Sequence, residues 1–462
     1  MSATPTLPAV PAIEDLLSAA AGRAFAYLRD SPNRPVVPGP AALQALGQLA
    51  YRLPWAATDP RDVLALLDRV GSPATVVTTG GRYFGFVNGG ALPALVAAGW
   101  MVSTWDQNLA LRVMSPAAVA FEDVALEWVR DLLGLPHGCG SAVVTGATMA
   151  NFTALAAARH ALLARAGWDV ESDGLFGAPP LTVVTGDEVH VSVLKALALL
   201  GLGRARVRRV AVDDQGRMRP DALPALDSRT IVCIQAGNVN TGAFDPAADL
   251  CARAREAGAW VHVDGAFGLW AAASRRHRHL TNGFELADSW GTDGHKWPNV
   301  GYDCGIVLVR NPESLRSAMS TSSAYFVPGE MREPSQYSPE MSRRARAVEL
   351  WASLLSLGRA GLADLVDRTC AHARTFANGL RESGYEILND VVINQVLVSF
   401  GAPEVTRAVI ARVQQDGTCW CGGTEWQGRT AMRISVSSWA TTSEDVSRSL
   451  DAIRRAADES RR

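Results

Sequence analysis

Lysine is almost absent from this sequence of 462 residues, because only Lys195 and Lys296 among its 44 lysines and arginines are lysines. Lys296 lies in DSWGTDGHKWPNV (288–300), where glycine, histidine and tryptophan crowd its side chain. An arginine keeps its proton and is a poor nucleophile, whereas a desolvated primary amine can form a Schiff base with an aldehyde. Lys296 is therefore a candidate nucleophile, and this segment alone leaves open a buried structural lysine or a phosphate contact.

Paired cysteines and long apolar runs are also missing. The seven cysteines form no CxxC pair, and CWC at 419–421 has no nearby second half for zinc, so we expect reduced thiols and no metal. The first residues, MSATPTLPAV, do not have the pattern of a signal peptide, and the longest apolar run (91–102) is too short to span a bilayer. The net charge of −2 gives no general attraction to nucleic acid or anionic lipid. We expect a cytoplasmic protein that binds a small molecule.

The pattern of apolar residues predicts three regions. Residues 1–80 form a helical arm with little core of its own. In residues 81–340, short β-branched runs alternate with alanine-rich helical windows, which predicts an α/β domain around a mainly parallel sheet. Residues 341–462 begin with helical periodicity and continue into strands, which predicts a smaller α+β domain. Ligands of such parallel sheets gather at the carboxyl ends of the strands.

Three segments place reactive groups at predicted strand ends. VVTGATMANF (143–152) leads from a strand into a helix and presents free backbone N–H groups to a phosphate. VHVDGAFGLW (261–270) ends an apolar strand with Asp264, and GDEVHVSVLKAL (186–197) places His190 at the start of a helix. A capped turn, an internal ion pair and a structural histidine are the respective alternatives. Together with Lys296, these groups provide the partners that pyridoxal 5'-phosphate (PLP) needs for its aldehyde, phosphate, ring nitrogen and ring face.

The motifs also resemble a known family. The segments FGFVNGGALPALVAAGW, SPAAVAFED, TGATMANFTAL, VHVDGAFG, ADSWGTDGHKW and MRISVSSWATT are similar to those of the group II PLP-dependent decarboxylases, which act on aromatic amino acids or glutamate. The resemblance covers nearly the whole chain. It implies the type I PLP-dependent transferase fold, which is also the aspartate aminotransferase fold, and decarboxylation of an L-amino acid to its amine.

The resemblance assigns a role to each matching residue. It implies that Lys296 carries the cofactor, that Asp264 faces the ring nitrogen and that His190 stacks on the ring. It further implies that Ala147 and Thr148 form the phosphate cradle, that His295 helps to hold the phosphate and that Ala266 packs under the ring. The family's catalytic tyrosine matches Tyr325 in STSSAYFVPGE (320–330), and a tyrosine there favours simple decarboxylation.

Three positions leave alternatives open. Asp293 stands where many relatives have asparagine, and an acid beside a phosphate would repel it unless the acid turns away or accepts a hydrogen bond. Asn238 replaces the first threonine of a family turn, so it is a candidate contact for the cofactor ring or the substrate. Arg433 is a candidate clamp for the substrate's α-carboxylate, or it pairs inside the small domain.

The substrate side chain is predicted from GGRYFGFVNGG (80–90), which matches a family segment that lines the substrate. If alternate residues face the pocket, Phe84 and Phe86 provide flat apolar walls, and the alternative is that they pack a domain boundary. An acidic substrate would need a cation, and the nearby candidates are Arg82 and Arg112, which no motif places in the site. An aromatic or bulky apolar substrate is therefore predicted.

Rival functions use the same motifs differently. An aldehyde synthase or an aminotransferase would bind the same cofactor. A non-catalytic binding member of the fold would be expected to lose the lysine or the aspartate, and both are present. A nicotinamide enzyme is disfavoured because GLGRAR (201–206) lacks the third glycine of the fingerprint. The arm and the family resemblance also imply a homodimer with shared active sites.

Overall fold

The computed structural model describes residues 12–49, 52–321 and 331–461. The α-helices of these ranges are α1 (Ile13–Asp30), α2 (Pro40–Ala45), α3 (Pro60–Leu66), α4 (Ser72–Ala74), α5 (Pro93–Trp105), α6 (Pro116–Leu132), α7 (Ala147–Arg165), α8 (Val170–Asp173), α9 (Val191–Leu199), α10 (Ala247–Glu256), α11 (Pro312–Met319), α12 (Arg346–Glu382), α13 (Pro403–Asp416) and α14 (Ser443–Ser460). The strands are β1 (Gly140–Val144), β2 (Thr182–Gly186), β3 (Arg208–Val210), β4 (Thr230–Gln235), β5 (Trp260–Asp264), β6 (Ser289–Asp293), β7 (Gly305–Val309), β8 (Glu386–Ile387), β9 (Gln395–Ser399), β10 (Gly422–Trp426) and β11 (Arg429–Ser435).

The first seven strands form one sheet in the order β1-β7-β6-β5-β4-β2-β3. The pairs from β3 to β6 are parallel, and β7 is antiparallel to both of its neighbours. This arrangement confirms the predicted α/β fold with a mainly parallel sheet. Successive residues of a strand pack on opposite faces of the sheet. In β4, Ile231 packs with α7 and α9, whereas Val232 packs with helices on the other face. A sheet that is covered on both faces needs apolar residues on both, which explains the continuous apolar runs.

Strand β6 was not identified from the sequence, although it leads directly to Lys296. Its residues, SWGTD, are not a β-branched run, and its glycine weakens the pattern. Gly291 is required by packing, because a Cβ there would lie 2.6 Å from the side-chain oxygen of Asn151 on α7. Strand β10 was missed for a similar reason, since it begins with two glycines.

The second sheet is antiparallel, with the order β10-β11-β9-β8, and packs with α13, α14 and the end of α12 around its own core. Helix α1 has no buried residue and exposes Ile13, Leu17 and Phe25. An exposed apolar face agrees with the expectation that the arm has little core of its own. In the part of the chain that the structure describes, no helix is both long and apolar enough to cross a membrane.

Candidate active site

A cavity of about 340 Å³ opens at the carboxyl ends of β1, β5 and β6. Parallel strands end at the same edge of the sheet, so the segments that follow them converge there. The residues that line the cavity are Thr145, Gly146, Ala147, Thr148, Met149, His190, Ser192, Ala266, Asp293, His295, Lys296 and Tyr302. Six of the residues predicted from the sequence are therefore brought together, namely Ala147, Thr148, His190, Ala266, His295 and Lys296.

Lys296 is the lysine of this cavity, and its side chain is only 15% exposed. Its Nζ lies 3.3 Å from Asp293 Oδ2 and 5.8 Å from the centre of the Phe267 ring. A Cβ on Gly89 would overlap the Lys296 carbonyl oxygen, so only glycine allows this approach. Lys195, in contrast, is an exposed residue of α9.

The helix α7 begins at the cavity and directs its first N–H groups into it. The Ala147 N–H donates to Asp293 Oδ1 at 2.5 Å. Of the two alternatives for Asp293, the acid therefore accepts a hydrogen bond and does not turn away. A helix N-terminus carries a partial positive charge, which favours an anion at this point. A helix terminus of this kind suits a phosphate.

His295 forms one wall of the cavity, together with a tyrosine that the sequence analysis missed. The ring of Tyr302 stacks on His295 with a centroid distance of 4.4 Å, and its hydroxyl donates to Asn88 Oδ1 at 2.6 Å. Burial lowers the pKa of His295 despite the neighbouring Asp293. Tyr302 follows Lys296 by six residues, and no local pattern distinguishes it.

Asp264 and His190 meet through Ser192, which the sequence analysis also missed. Asp264 ends β5, is 5% exposed and accepts from the Ala266 N–H at 3.3 Å and from Ser192 Oγ at 3.4 Å. His190 caps α9, where its Nδ1 accepts from the Ser192 N–H and lies 2.8 Å from Ser192 Oγ. Burial lowers the pKa of His190 more than Asp264 raises it. The ring is therefore neutral near pH 7. The signal that could have indicated this contact is a serine two residues after the histidine that caps the helix.

Arg433 reaches out of the small sheet instead of pairing within it. Its Nη1 donates to Val239 O at 3.4 Å and to Asn240 Oδ1 at 3.3 Å. Within residues 12–49, 52–321 and 331–461 it has no carboxylate partner. Burial lowers its pKa, and its charge also lowers the pKa of His190.

Two predicted residues, Asn238 and Phe84, do not line the cavity, and a third lies outside the described residues. Asn238 uses its side chain inside its own turn, where Oδ1 accepts from the N–H groups of Asn240 and Thr241 and Nδ2 donates to Glu188 O. Phe84 is 1% exposed and packs on Phe376 in the core of the small domain. Tyr325 lies outside the described residues.

Phe86 does not share a side with Phe84, as strict alternation would require. Phe86 is 59% exposed and stacks on Trp420 with a centroid distance of 5.4 Å. The expectation of alternation is wrong because Phe86 and Val87 both have positive φ angles, of 54° and 60°, so the segment is not an extended strand.

The arrangement fits PLP in its chemistry. The amine of Lys296, a helix N-terminus and the ring of His190 line one cavity, and the buried carboxylate of Asp264 adjoins it through Ser192, as a phosphorylated pyridine aldehyde requires. Among the described residues, no group of three or more side chains is arranged to hold a metal ion.

Comparison with known proteins agrees with this chemistry. The family model described as the pyridoxal-dependent decarboxylase conserved domain matches residues 71–402. Tryptophan decarboxylase 1 of Oryza sativa is 29% identical over 70% of this chain and 70% of its own length. The acidic amino acid decarboxylase GADL1 of Xenopus tropicalis is 29% identical over 71% of this chain and 66% of its own.

Solved structures agree at the level of the fold. The crystal structure of Oryza sativa TDC with PLP and tryptamine has a TM-score of 0.90, with 23% identity over 98% of this chain and 99% of that one. The family match covers well over half of the chain and includes every cavity residue named above. The chain therefore belongs to the pyridoxal-dependent decarboxylases and is a PLP-dependent amino acid decarboxylase of the type I fold.

Proposed function

We propose that this decarboxylase converts an aromatic or bulky apolar L-amino acid to its amine. Lys296 carries the cofactor, Ala147 and Thr148 hold its phosphate, Asp264 faces its ring nitrogen, and Arg433 binds the substrate's α-carboxylate. The observation that carries the substrate assignment is that the nearby arginines are already engaged, so that a second carboxylate on the substrate would have no cation.

Arg82 and Arg112 are the two arginines in question. Arg82 is 5% exposed and donates to the carbonyl oxygens of Thr418 and Pro32 at 2.6 and 2.7 Å. Arg112 forms an ion pair of 2.8 Å with Asp123. Breaking either set of contacts to bind a substrate would leave buried or charged groups unpaired, which is costly.

The segment around residues 83–89 has an aromatic surface, which we propose receives the substrate side chain. Trp420 stacks between Tyr83 at 5.1 Å and Phe86 at 5.4 Å, and the same segment reaches the Lys296 backbone at Gly89. A Cβ on Gly85 would overlap the Trp420 ring, so the segment and the ring are in close contact. Such a surface favours flat apolar side chains.

The chemical roles follow from these positions. Bound PLP supplies the electron sink for the charge that remains on the α-carbon when carbon dioxide leaves. A negative Asp264 keeps a proton on the ring nitrogen, which strengthens that sink. A neutral His190 covers the ring face without adding a positive charge. Tyr325, which lies outside the described residues, is proposed to return a proton to the α-carbon directly or through an acid that it positions.

The assignment of Lys296 is tested by borohydride reduction of the PLP-loaded enzyme and peptide mapping. Because the chain has only two lysines, a single label on 288–300 is the expected result. Lys195→Arg is the matched control and should keep the label, whereas Lys296→Arg should lose it. A label on Lys195 in the unmodified enzyme would overturn the assignment.

The substrate class is tested with a panel of tryptophan, tyrosine, phenylalanine, leucine, valine, aspartate and glutamate. Carbon dioxide, amine, ammonia and peroxide are measured for each. We expect the largest kcat/KM for an aromatic or bulky apolar member, with amine and carbon dioxide in equal amounts. Fastest turnover of aspartate or glutamate would reject the substrate class. Ammonia and peroxide in place of amine would identify an aldehyde synthase.

A homodimer with shared active sites and a cytoplasmic location complete the proposal. Helix α1 supports the dimer, because Ile13, Leu17 and Phe25 are each at least half exposed and an apolar helix face needs a partner. Light scattering during size-exclusion chromatography should give twice the chain mass. A fully active monomer would contradict the shared sites.

A further inference from the structure

We propose that a buried chain of hydrogen bonds positions Asp264 and His190 against the cofactor, and that Ser192, Asn151 and His262 are positioning residues for decarboxylation. This inference rests on the proposed contact between Asp264 and the ring nitrogen. The chain begins at Trp260, whose Nε1 lies 2.9 Å from Ser289 Oγ, and Ser289 Oγ lies 3.0 Å from His262 Nδ1. The other ring nitrogen of His262, Nε2, lies 3.1 Å from Asn151 Oδ1. Asn151 Nδ2 lies 3.2 Å from Ser192 Oγ, which lies 3.4 Å from Asp264 Oδ2.

The direction of the chain follows from its first member. An indole nitrogen can only donate, so Ser289 accepts from Trp260. The hydroxyl hydrogen of Ser289 is then left to donate to His262 Nδ1, its other hydrogen-bond partner. A neutral imidazole carries one N–H, which therefore lies on Nε2 and points to Asn151 Oδ1.

The remaining links preserve this direction. With its oxygen engaged by His262, the amide of Asn151 turns its NH₂ group to Ser192 Oγ. Ser192 is thereby left free to donate its one hydroxyl hydrogen, which Asp264 Oδ2 at 3.4 Å and His190 Nδ1 at 2.8 Å share as acceptors. Every donor in the chain thus points toward the cavity. Aligned dipoles of this kind favour a negative carboxylate at their end and strengthen one another.

The reverse direction is less consistent with the contacts. If Asn151 were turned over, His262 would donate from Nδ1 to Ser289, which also accepts from Trp260. The hydroxyl hydrogen of Ser289 would then have no acceptor within the described residues, and a buried unpaired donor is costly. The forward direction requires a neutral His262, and burial lowers the pKa of this fully buried ring to about 4.

The chain crosses an interface that is otherwise apolar. Asn151 and His262 are both 0% exposed, and their neighbours on α7 and β5 include Ala150, Ala154 and Val263. Small apolar side chains at positions 151 and 262 would pack there without any need for hydrogen-bond partners. Gly291 leaves the space for Asn151, as described above. A fully paired polar chain in such a place, ending at the two cavity groups, indicates a role in positioning them.

The test uses the full-length enzyme loaded with PLP that carries ¹⁵N at its ring nitrogen. The variants are Ser192→Ala and Asn151→Ala, which break the chain at successive links, and their combination. Ser353→Ala is the matched control, because Ser353 is also 0% exposed and its hydroxyl has no partner among the described residues. The ¹⁵N chemical shift reports protonation of the ring nitrogen independently of turnover, and melting temperature reports folding.

We expect each single variant to move the ¹⁵N shift toward the unprotonated value and to lower kcat about 10-fold, with KM within about twofold of the unmodified enzyme. The double variant should be no worse than the stronger single one, because the links act in series. Ser353→Ala should change neither quantity. An unchanged ¹⁵N shift in folded Ser192→Ala, or effects that multiply in the double variant, would overturn the proposal.

Asp264→Asn separates this inference from the proposed function. If Asp264→Asn moves the ¹⁵N shift and Ser192→Ala does not, Asp264 faces the ring nitrogen but the chain does not position it. If Asp264→Asn leaves the shift unchanged, the proposed contact with the ring nitrogen itself is wrong. Should Asn151→Ala not fold, Asn151→Ser keeps a small polar side chain and provides the second break.

Discussion

Glu122 on α6 is the buried charge whose removal should destabilise the active-site end of the sheet. Its side chain is 0% exposed, and Oε1 accepts from Arg343 at 2.9 Å and from Arg332 at 2.8 Å. Arg343, itself 1% exposed, also donates at 2.6 Å to the carbonyl oxygen of Val143. Val143 lies in β1, which leads into the turn that is proposed to hold the phosphate. Glu122 therefore supports the position of that turn.

The expected cost follows from what remains after the substitution. Breaking a buried ion pair typically costs about 3–5 kcal/mol, because the other charge is left unpaired. Arg332 keeps Asp123 at 3.0 Å, so the cost falls mainly on Arg343. Glu122→Gln preserves the volume and one acceptor, and we expect it to lose about 3 kcal/mol of unfolding free energy. Asp123→Asn is the control, with an expected loss of at most about 1 kcal/mol because that side chain is 36% exposed.

Urea unfolding at fixed protein and PLP concentrations, followed by tryptophan fluorescence, measures both variants. A chain of this length need not unfold in one step, so the first transition is compared between variants. If Glu122→Gln and Asp123→Asn shift that transition equally, the reasoning about burial is refuted.

The pH gives a second check: burial opposes ionisation of Glu122, but the two arginines outweigh it and hold its pKa below the ordinary value. Stability from this group is therefore present above about pH 4.3 and is lost as the pH falls below it.

Three further predictions concern the cavity and its support. Tyr302→Phe keeps the stacking on His295 but loses the hydrogen bond to Asn88, so KM should rise a few fold with little change in kcat, and an unchanged KM in steady-state assays would exclude this role. Arg433→Gln should raise KM at least about 10-fold while the borohydride label on Lys296 is retained, and a normal KM would remove Arg433 from the substrate site. The pKa of His262 is lowered to about 4 from an ordinary value of 6.5. Between pH 4 and pH 6.5 the unfolded state binds more protons at this residue than the folded state does. Up to about 3 kcal/mol of stability should therefore be lost as the pH falls from 6.5 to 4, and urea titrations of His262→Gln should lack this loss.

Local sequence indicated the candidate residues whose proposed roles depend on backbone position. Thr145–Thr148 follow an apolar strand and start a helix, so their N–H groups necessarily face the strand ends. Lys296 was identifiable because a nucleophilic amine cannot be replaced by the arginine that this chain otherwise uses. Asp264 at the end of an apolar strand was identifiable for the same reason, since a carboxylate at such a point needs a partner. The mainly parallel sheet was predictable from apolar runs of strand length.

Only tertiary contacts bear on the alternatives at Asp293, Arg433 and Asn238. Asp293 accepts the Ala147 N–H from a helix that lies 146 residues away in the chain. The amide of Asn238 is engaged in and beside its own turn. Phe84 packs in the small domain, which is the alternative that the sequence left open and that an alternating pattern cannot decide.

The sequence by itself determined the cofactor chemistry, because motifs such as DGHKW and VHVDGAFG combine reactive groups with the backbone positions that present them. The tertiary structure decided which side chains support those groups. Tyr302 and His262 have no distinctive local pattern, and Ser192 is indicated only by its place two residues after His190. Their proposed roles arise from contacts with residues on other strands and helices. A hydrogen bond depends on the distance and direction between two groups in space, and the number of residues between them in the chain gives neither.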